Sequence, residues 1–335
     1  MMNMRNKKIW ILLLIVILVT LVLLFIDKST YKKYSKNYFY MDTYINIKID
    51  SVKSRKEIDS IFDDINYLYD SYNKLTNRYS EYNDVINVYY LNEILGDGEE
   101  IEIDKRLADI IELGIAYYDK TNGLFNVASG NLTGIWKSFI DTCESVPSND
   151  TLDVNTNIND VKLKGNIYTK YNGVRLDLGA ITKGYVTEIV SRYLEDNSIN
   201  NYIINAGGNV KVGKAYDKEY YVVGITDPNN INSIFTKVNI NNLSVVTSGS
   251  YQRYCMLDDK LYSHVINSIT KYPSDYVKSV TVIGEDSTLC DIYSTYLFLL
   301  SVDDGLDVVN NTSGIEAIWY VDGDNIVRSD GFNYE

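Results

Sequence analysis

Apolar and polar residues alternate over 40–49, where Ile45, Ile47 and Ile49 are interleaved with Asn46 and Lys48, and this period of two predicts a strand. Over 58–75 the period changes. Ile58, Ile61, Phe62, Ile65, Leu68, Tyr69 and Tyr72 fall at helical spacing with acidic residues opposite, which predicts an amphipathic helix. Further helices are expected over 85–94, 107–120 and 289–302, the last preceded by Asp286-Ser287-Thr288, residues that cap helix starts well. The stretch 174–210 reads as a short apolar strand, a turn at Asp177-Leu178-Gly179-Ala180, a helix opened by Ile181-Thr182-Lys183-Gly184-Tyr185, and a second apolar strand closed by Gly207-Gly208. Strands are also expected over 220–225, 238–247, 261–266, 277–283 and, as the last of the chain, 317–321. Residues 123–136 form a glycine-punctuated loop with Trp136 as an apolar plug, and the polar run 141–160 reads as a surface insertion. Helices and strands mix without a strict βαβ rhythm, so the fold class is α+β.

The chain has 335 residues and a formal net charge of -13, which argues against a nucleic-acid partner. Any anion bound here must meet local positive charge, a helix N-terminus or a metal ion. The 31 tyrosines are read as compositional bias of the source genome. At the start, 1–8 is a short basic segment, and 9–26 is an uncharged apolar run at the lower length bound for a spanning helix, without a small-residue cleavage site. It is expected to be an uncleaved, single-pass signal anchor in the cell membrane with the body outside. Residues 27–38 are expected to be a linker and 39–335 the folded domain. The three cysteines, Cys143, Cys255 and Cys290, are far apart and irregularly spaced, which favours buried free thiols over a disulfide framework.

Several residues could carry chemistry. The strand-to-helix junction at 177–183 brings a carboxylate, a turn glycine and Lys183 to a place where helix N–H groups are unpaired, a natural seat for phosphate. Asp177, set between two leucines, must be satisfied by hydrogen bonds or serve a ligand. Asp291 and Thr295 are four apart on a predicted helix, so their oxygens share a face and suit a hard cation such as Mg2+ when a substrate supplies phosphate oxygens. The bland reading of that pair is an exposed Asp at a helix start. His264, the chain's single histidine, has a suitable ordinary pKa for proton transfer, although a lone His in a strand is more often structural.

Taken jointly, these segments resemble the ApbE family, the FAD:protein FMN transferases. The resemblance runs from about 40 to 310. Met41-Asp42-Thr43 is similar to the family's opening strand motif, and Leu124-Phe125-Asn126 through Trp136 to its F-D-x-x-x-G-P-L…W loop. Leu176-Asp177-Leu178-Gly179-Ala180-Ile181-Thr182-Lys183-Gly184-Tyr185 and Asn205-Ala206-Gly207-Gly208-Asn209 match the two central motifs. Val223 to Pro228, Thr247 to Tyr254, His264-Val265-Ile266 and Asp291-Ile292-Tyr293-Ser294-Thr295 complete the set.

The resemblance implies an ApbE-like fold of mixed sheets and packed helices. It also implies Mg2+-dependent transfer of FMN from FAD to a Ser or Thr hydroxyl of a target flavoprotein, with release of AMP. It assigns Mg2+ to Asp291, Thr295 and the Ala180 carbonyl. FAD contacts fall to Met41, Leu124, Phe125, Asn126, Asp177, Lys183 and Ile266, with Tyr79, beside Arg78, the candidate for the flavin-pocket tyrosine. His264 and Lys183 are the candidate catalytic residues, His264 taking the acceptor's proton. The chain departs from the pattern at Asn126 and Asn267, where the family has Asp, and at Asn131, where it has Pro. Two alternatives stand beside the transferase reading: an FAD pyrophosphatase, in which water attacks the same phosphorus, and, motivated by Asn126 and Asn267, a membrane-anchored FAD-binding protein impaired in catalysis.

Overall fold

The computed structural model describes residues 13, 15–17, 31–323 and 325–334. The 9–26 run expected to be an anchor lies almost wholly outside these, and among the described residues no helix is long and apolar enough to cross a membrane.

The frame is an eight-stranded antiparallel sheet whose spatial order follows the chain: β1 (Lys32–Tyr40), β2 (Thr43–Ser51), β3 (Tyr202–Ala206), β4 (Asn209–Val212), β5 (Ser244–Gly249), β6 (Ser279–Gly284), β7 (Ile315–Tyr320) and β8 (Ile326–Arg328). Long insertions between neighbouring strands carry the helices α1 (Arg55–Thr76), α2 (Lys105–Lys120), α3 (Gly130–Thr142), α4 (Gly179–Asp196), α5 (Ser287–Phe298) and α6 (Val302–Asn310). The period-two pattern is what lets the sheet be covered on both faces. Ile45, Ile47, Ile49 and Ile204 pack under α1 and α4, and Val246, Val282 and Ala317 under α5 and α6. Their sequence neighbours Val245, Ile283 and Ile318 point the other way, onto a hairpin of Tyr221–Asp227 and Asn230–Ile240. The α1 start is fixed by a capping box between Ser54 and Glu57, and the α5 start by Asp286, whose side chain accepts from the Thr288 and Leu289 N–H groups.

Several expectations are corrected. Residues 32–38 of the expected linker belong to β1 (Lys32–Tyr40), so the domain starts before residue 39; Tyr34 and Tyr38 of this strand are buried against α1. The helix expected over 85–94 is only a single π-type turn, Tyr90–Ile94, because Asn87 and Asn92 spend their side chains on local backbone and on Leu176. The last part of the 123–136 loop is helical, opening α3 at Gly130. The 174–178 stretch is extended but unpaired apart from one bridge at Arg175, being pinned by the Asn92 amide instead of a ladder. One expected strand over 238–247 is two, split by a turn at 241–243, and β8 follows the strand expected to be last.

Candidate active site

Every residue the resemblance assigns to FAD, Mg2+ or catalysis lines one cleft of about 1590 Å3, between α4, α5, the β1–β2 and β3–β4 turns, the loop leading into α3, and the hairpin of Tyr254–Leu257 and Lys260–Ser263. Backbone turns place the first of them. Tyr40 pairs with Thr43, leaving the two-residue loop Met41-Asp42 with φ of 52° and 55°, the left-handed pair that a tight hairpin needs. Met41 is not a residue that favours this conformation, and its N–H is held by Asn73 at 2.9 Å. Gly207, at φ 61°, closes β3 to β4; a Cβ there would lie 1.9 Å from the Thr43 hydroxyl, so the two turns nest only because 207 is glycine.

The opposite wall is the contact between α4 and α5. A Cβ at Gly184 would lie 2.5 Å from both the Asp291 Cβ and the Ser287 carbonyl. Gly184 therefore lets helix approach helix. The Gly184 N–H, which in an uninterrupted helix donates to the Ala180 carbonyl, donates to Asp291 Oδ2 at 2.7 Å. Ala180, one turn before Gly184, lines the same cleft. Asp291 is 4% exposed, and burial pushes its carboxyl above the usual range against the opposing pull of Lys183 and the Gly184 N–H. Thr295, one turn on, makes no side-chain hydrogen bond among the described residues. No cluster of three or more His, Cys, Asp or Glu side chains there could hold a metal; the predicted set has one carboxylate, one hydroxyl and one carbonyl.

Asp177 resolves as a hub. Its Oδ2 accepts from Arg78 at 2.5 Å and from the Thr133 hydroxyl at 2.7 Å, and its Oδ1 from the Gly179 N–H at 2.9 Å. Burial acts to raise its pKa, but Arg78, Thr133 and the Gly179 N–H together outweigh that and hold it below the ordinary carboxylate range. Arg78, which the sequence reading left beside Tyr79 without a role, also donates to the Gly130 carbonyl and lies over the Tyr79 ring at 5.4 Å. The only signal for it was the unpaired Asp177 waiting for a cation. Lys137 approaches the same ring from α3 at 5.6 Å, and Tyr79 itself is 53% exposed at the cleft edge.

The replaced acids have structural work. Asn126 donates to the Thr156 carbonyl at 2.9 Å and accepts from the Ala128 N–H; an Asp there could not make the first bond. Asn131 donates to the Asn155 and Gly173 carbonyls. Both amides tie the polar 141–160 segment to the cleft wall. Asn267 accepts from the Ile269 and Thr270 N–H groups, the acceptor geometry of a carboxylate without its charge.

His264 is half-buried. Its Nδ1 lies 3.2 Å from the Arg253 carbonyl, which can only accept, so Nδ1 carries the proton and Nε2 keeps its lone pair. Burial, then Lys183 and Arg253, lower its pKa to about 4, so it is a neutral base at pH 7. The charges lining the cleft balance. Arg78 pairs with Asp177, Lys137 with Asp141 and Arg253 with Asp42, and Lys183 lies near Asp291. An acidic chain thus presents a neutral pocket.

The remaining wall is stapled. Cys143, at the end of α3, is disulfide-bonded to Cys255 with Cα atoms 5.6 Å apart, which corrects the expectation of three free thiols; only Cys290 is free and buried. A pair separated by 112 residues leaves no trace in spacing. Trp136 is the expected plug, fully buried beside Tyr262 and donating its indole N–H to the Lys271 carbonyl at 2.8 Å.

Comparison with known proteins converges on one family. A family model described as the ApbE family matches residues 41–319. An FAD:protein FMN transferase of Klebsiella pneumoniae is 30% identical over 239 residues, 68% of this chain and 73% of that relative. One of Haemophilus influenzae is 25% identical over 285 residues, 80% of this chain and 78% of that relative. Among solved structures, an ApbE protein of Thermotoga maritima superposes with a TM-score of 0.80 at 26% identity, covering 89% of this chain and 97% of that one. The flavin transferase ApbE of Vibrio cholerae, at 22% identity and a TM-score of 0.77, shows the same fold over 90% of this chain and 98% of that one.

Proposed function

The chain belongs to the ApbE family, and from that premise we propose that it transfers FMN from FAD to a Ser or Thr hydroxyl of a target flavoprotein, releasing AMP. The observation that carries the proposal is the Gly184–Asp291 contact, which sets a buried carboxylate beside α4 in a cleft also lined by Thr295 and Ala180 and larger than the ~300–1,000 Å3 of a drug-sized ligand site. Those oxygens fit a hard cation, and Asp291, Thr295 and the Ala180 carbonyl would hold Mg2+. When bound, Mg2+ supplies positive charge that offsets the pyrophosphate and the charge developing on departing AMP.

The chain's own residues do the rest. The α4 N-terminus and Lys183 favour phosphate on this side of the cleft, which overcomes the repulsion expected from the net charge. Met41, Tyr79, the 124–126 segment and Ile266 form the remaining surface for FAD, and Asp177 serves it by fixing Arg78 and the start of α4. Nε2 of His264 takes the proton of the acceptor hydroxyl as its oxygen bonds to the FMN phosphorus and the bond from that phosphorus to AMP breaks. An extracytoplasmic body anchored through 9–26 is supported by the uncharged apolar character of that run and by the Cys143–Cys255 bond, which persists in oxidising compartments.

Intact-mass measurement of candidate acceptor proteins incubated with the protein, FAD and Mg2+ tests the reaction. A gain of one FMN on Ser or Thr with equimolar AMP is expected. Free FMN and AMP with unmodified acceptors would establish hydrolysis instead.

A further inference from the structure

Behind the cleft, the same two helices share a second contact that the proposed chemistry does not use. Glu188 lies one turn beyond Gly184 on α4 and is 9% exposed; its Oε2 accepts from the Ser287 N–H at 3.0 Å. Ser287 lies one turn before Asp291. The helices therefore run antiparallel here and exchange carboxylates, Asp291 to the Gly184 N–H and Glu188 to the Ser287 N–H. Lys211 on β4, 5% exposed, reaches Glu188 at 3.6 Å and donates to the Glu285 carbonyl, while Arg192, one turn on along α4, donates to Glu188 Oε1 at 3.0 Å and reaches Asp286 at 3.3 Å. The Ser287 hydroxyl donates to Asn209 Oδ1 at 2.7 Å.

Burying two ions costs several kcal/mol each in desolvation, so such a pair is a poor stabiliser compared with apolar packing. What it supplies is register. A one-residue slip of α5 along α4 would part the Ser287 N–H from Glu188 and Asp291 from the Gly184 N–H together, whereas an apolar contact would tolerate the slip. We propose that Glu188, held by Lys211, is a positioning residue that keeps Asp291 opposite the Ala180 carbonyl and so sets the affinity of this place for a hard divalent cation. The inference rests on the reading of Asp291 as a metal ligand.

Mn2+ binding to the full-length protein, followed by the loss of the free-ion spectroscopic signal, tests it with Mn2+ as the probe for Mg2+. Glu188→Ala is expected to weaken Mn2+ binding about 10–100-fold, the usual effect of removing a group that orients a ligand. Glu188→Gln, which keeps an acceptor for the Ser287 N–H, should fall between the variant and the parent, and FAD affinity measured without divalent ions should stay unchanged in both. Folded Glu188→Ala protein binding Mn2+ as tightly as the parent would overturn the proposal; should that variant not fold, parental affinity in Glu188→Gln would overturn it. Asp291→Ala in the same assay separates the two readings. Loss of binding there with none in the Glu188 variants sinks the positioning role alone, while parental binding in Asp291→Ala sinks the metal reading beneath it.

Discussion

The two walls of the cleft are built on different principles. Between α4 and α5, 107 residues apart at Gly184 and Asp291, the contact is tight backbone packing: one glycine with no room for a Cβ, and two carboxylates each on a backbone N–H of the other helix. The facing wall, made of the loop into α3 and the 254–263 hairpin, is held by ties between segments more than a hundred residues apart, namely the Cys143–Cys255 bond, Lys271 to Asp153 and Trp136 to the Lys271 carbonyl. The first wall holds the proposed metal ligands and the second the proposed base. They are joined at the Asp177 hub, through Thr133 and the Gly179 N–H, and by the charge of Lys183 near His264, so damage to one wall away from these should leave the other's property standing.

The largest expected separation comes from His264→Gln. It should lower kcat about 10²–10⁴-fold, the usual worth of a positioned base, with Mn2+ affinity and melting temperature unchanged. Loss of metal binding in that variant would show that the walls are coupled. Next, Arg78→Ala should cost about 3–5 kcal/mol in denaturant unfolding, because it leaves the Asp177 carboxylate largely buried and unpaired, with side-chain exposures of 11% and 22% for the pair. A loss under 1 kcal/mol would deny Asp177 its role as hub. Replacing Cys143 and Cys255 together by Ser should cost about 2–4 kcal/mol and raise the KM for FAD, without altering Mn2+ affinity. The smallest effect is with pH. Burial, Lys183 and Arg253 all disfavour protonation of His264, with Asp177 and the Arg253 carbonyl opposing them. Its proton acceptance should therefore persist as pH falls past 6.5 and fail only near 4. A kcat/KM profile with an acid limb at 6.5 would contradict that environment.

The contrast between the walls also explains what the sequence could reveal. Leu176 to Tyr185 and Asp291 to Thr295 were legible because their chemistry lies within one turn of helix, where spacing alone brings oxygens to a face. The α1 helix and β2 were legible because their apolar periods are unbroken. Arg78, Glu188, Lys211 and the disulfide were not, since each acts through a partner from another part of the chain. The strand β1 hid behind its lysines and tyrosines, an edge strand exposing polar side chains and burying only Tyr34 and Tyr38. Asn126 reads as a lost acid and Asn131 as a lost proline until the carbonyls of the 141–160 segment stand beside them.

The central claim is that a cation held by Asp291 carries the release of AMP. AMP formed from FAD at increasing Mg2+, in the parent and in Asp291→Ala, tests it most directly. The parent should show a saturable rise with Mg2+, and Asp291→Ala a rate about 10²–10³-fold lower at every concentration, the usual loss when one preorganised charge-stabilising group is removed. Release of AMP by Asp291→Ala at the parental rate, or by the parent with all divalent ions chelated, would contradict the account.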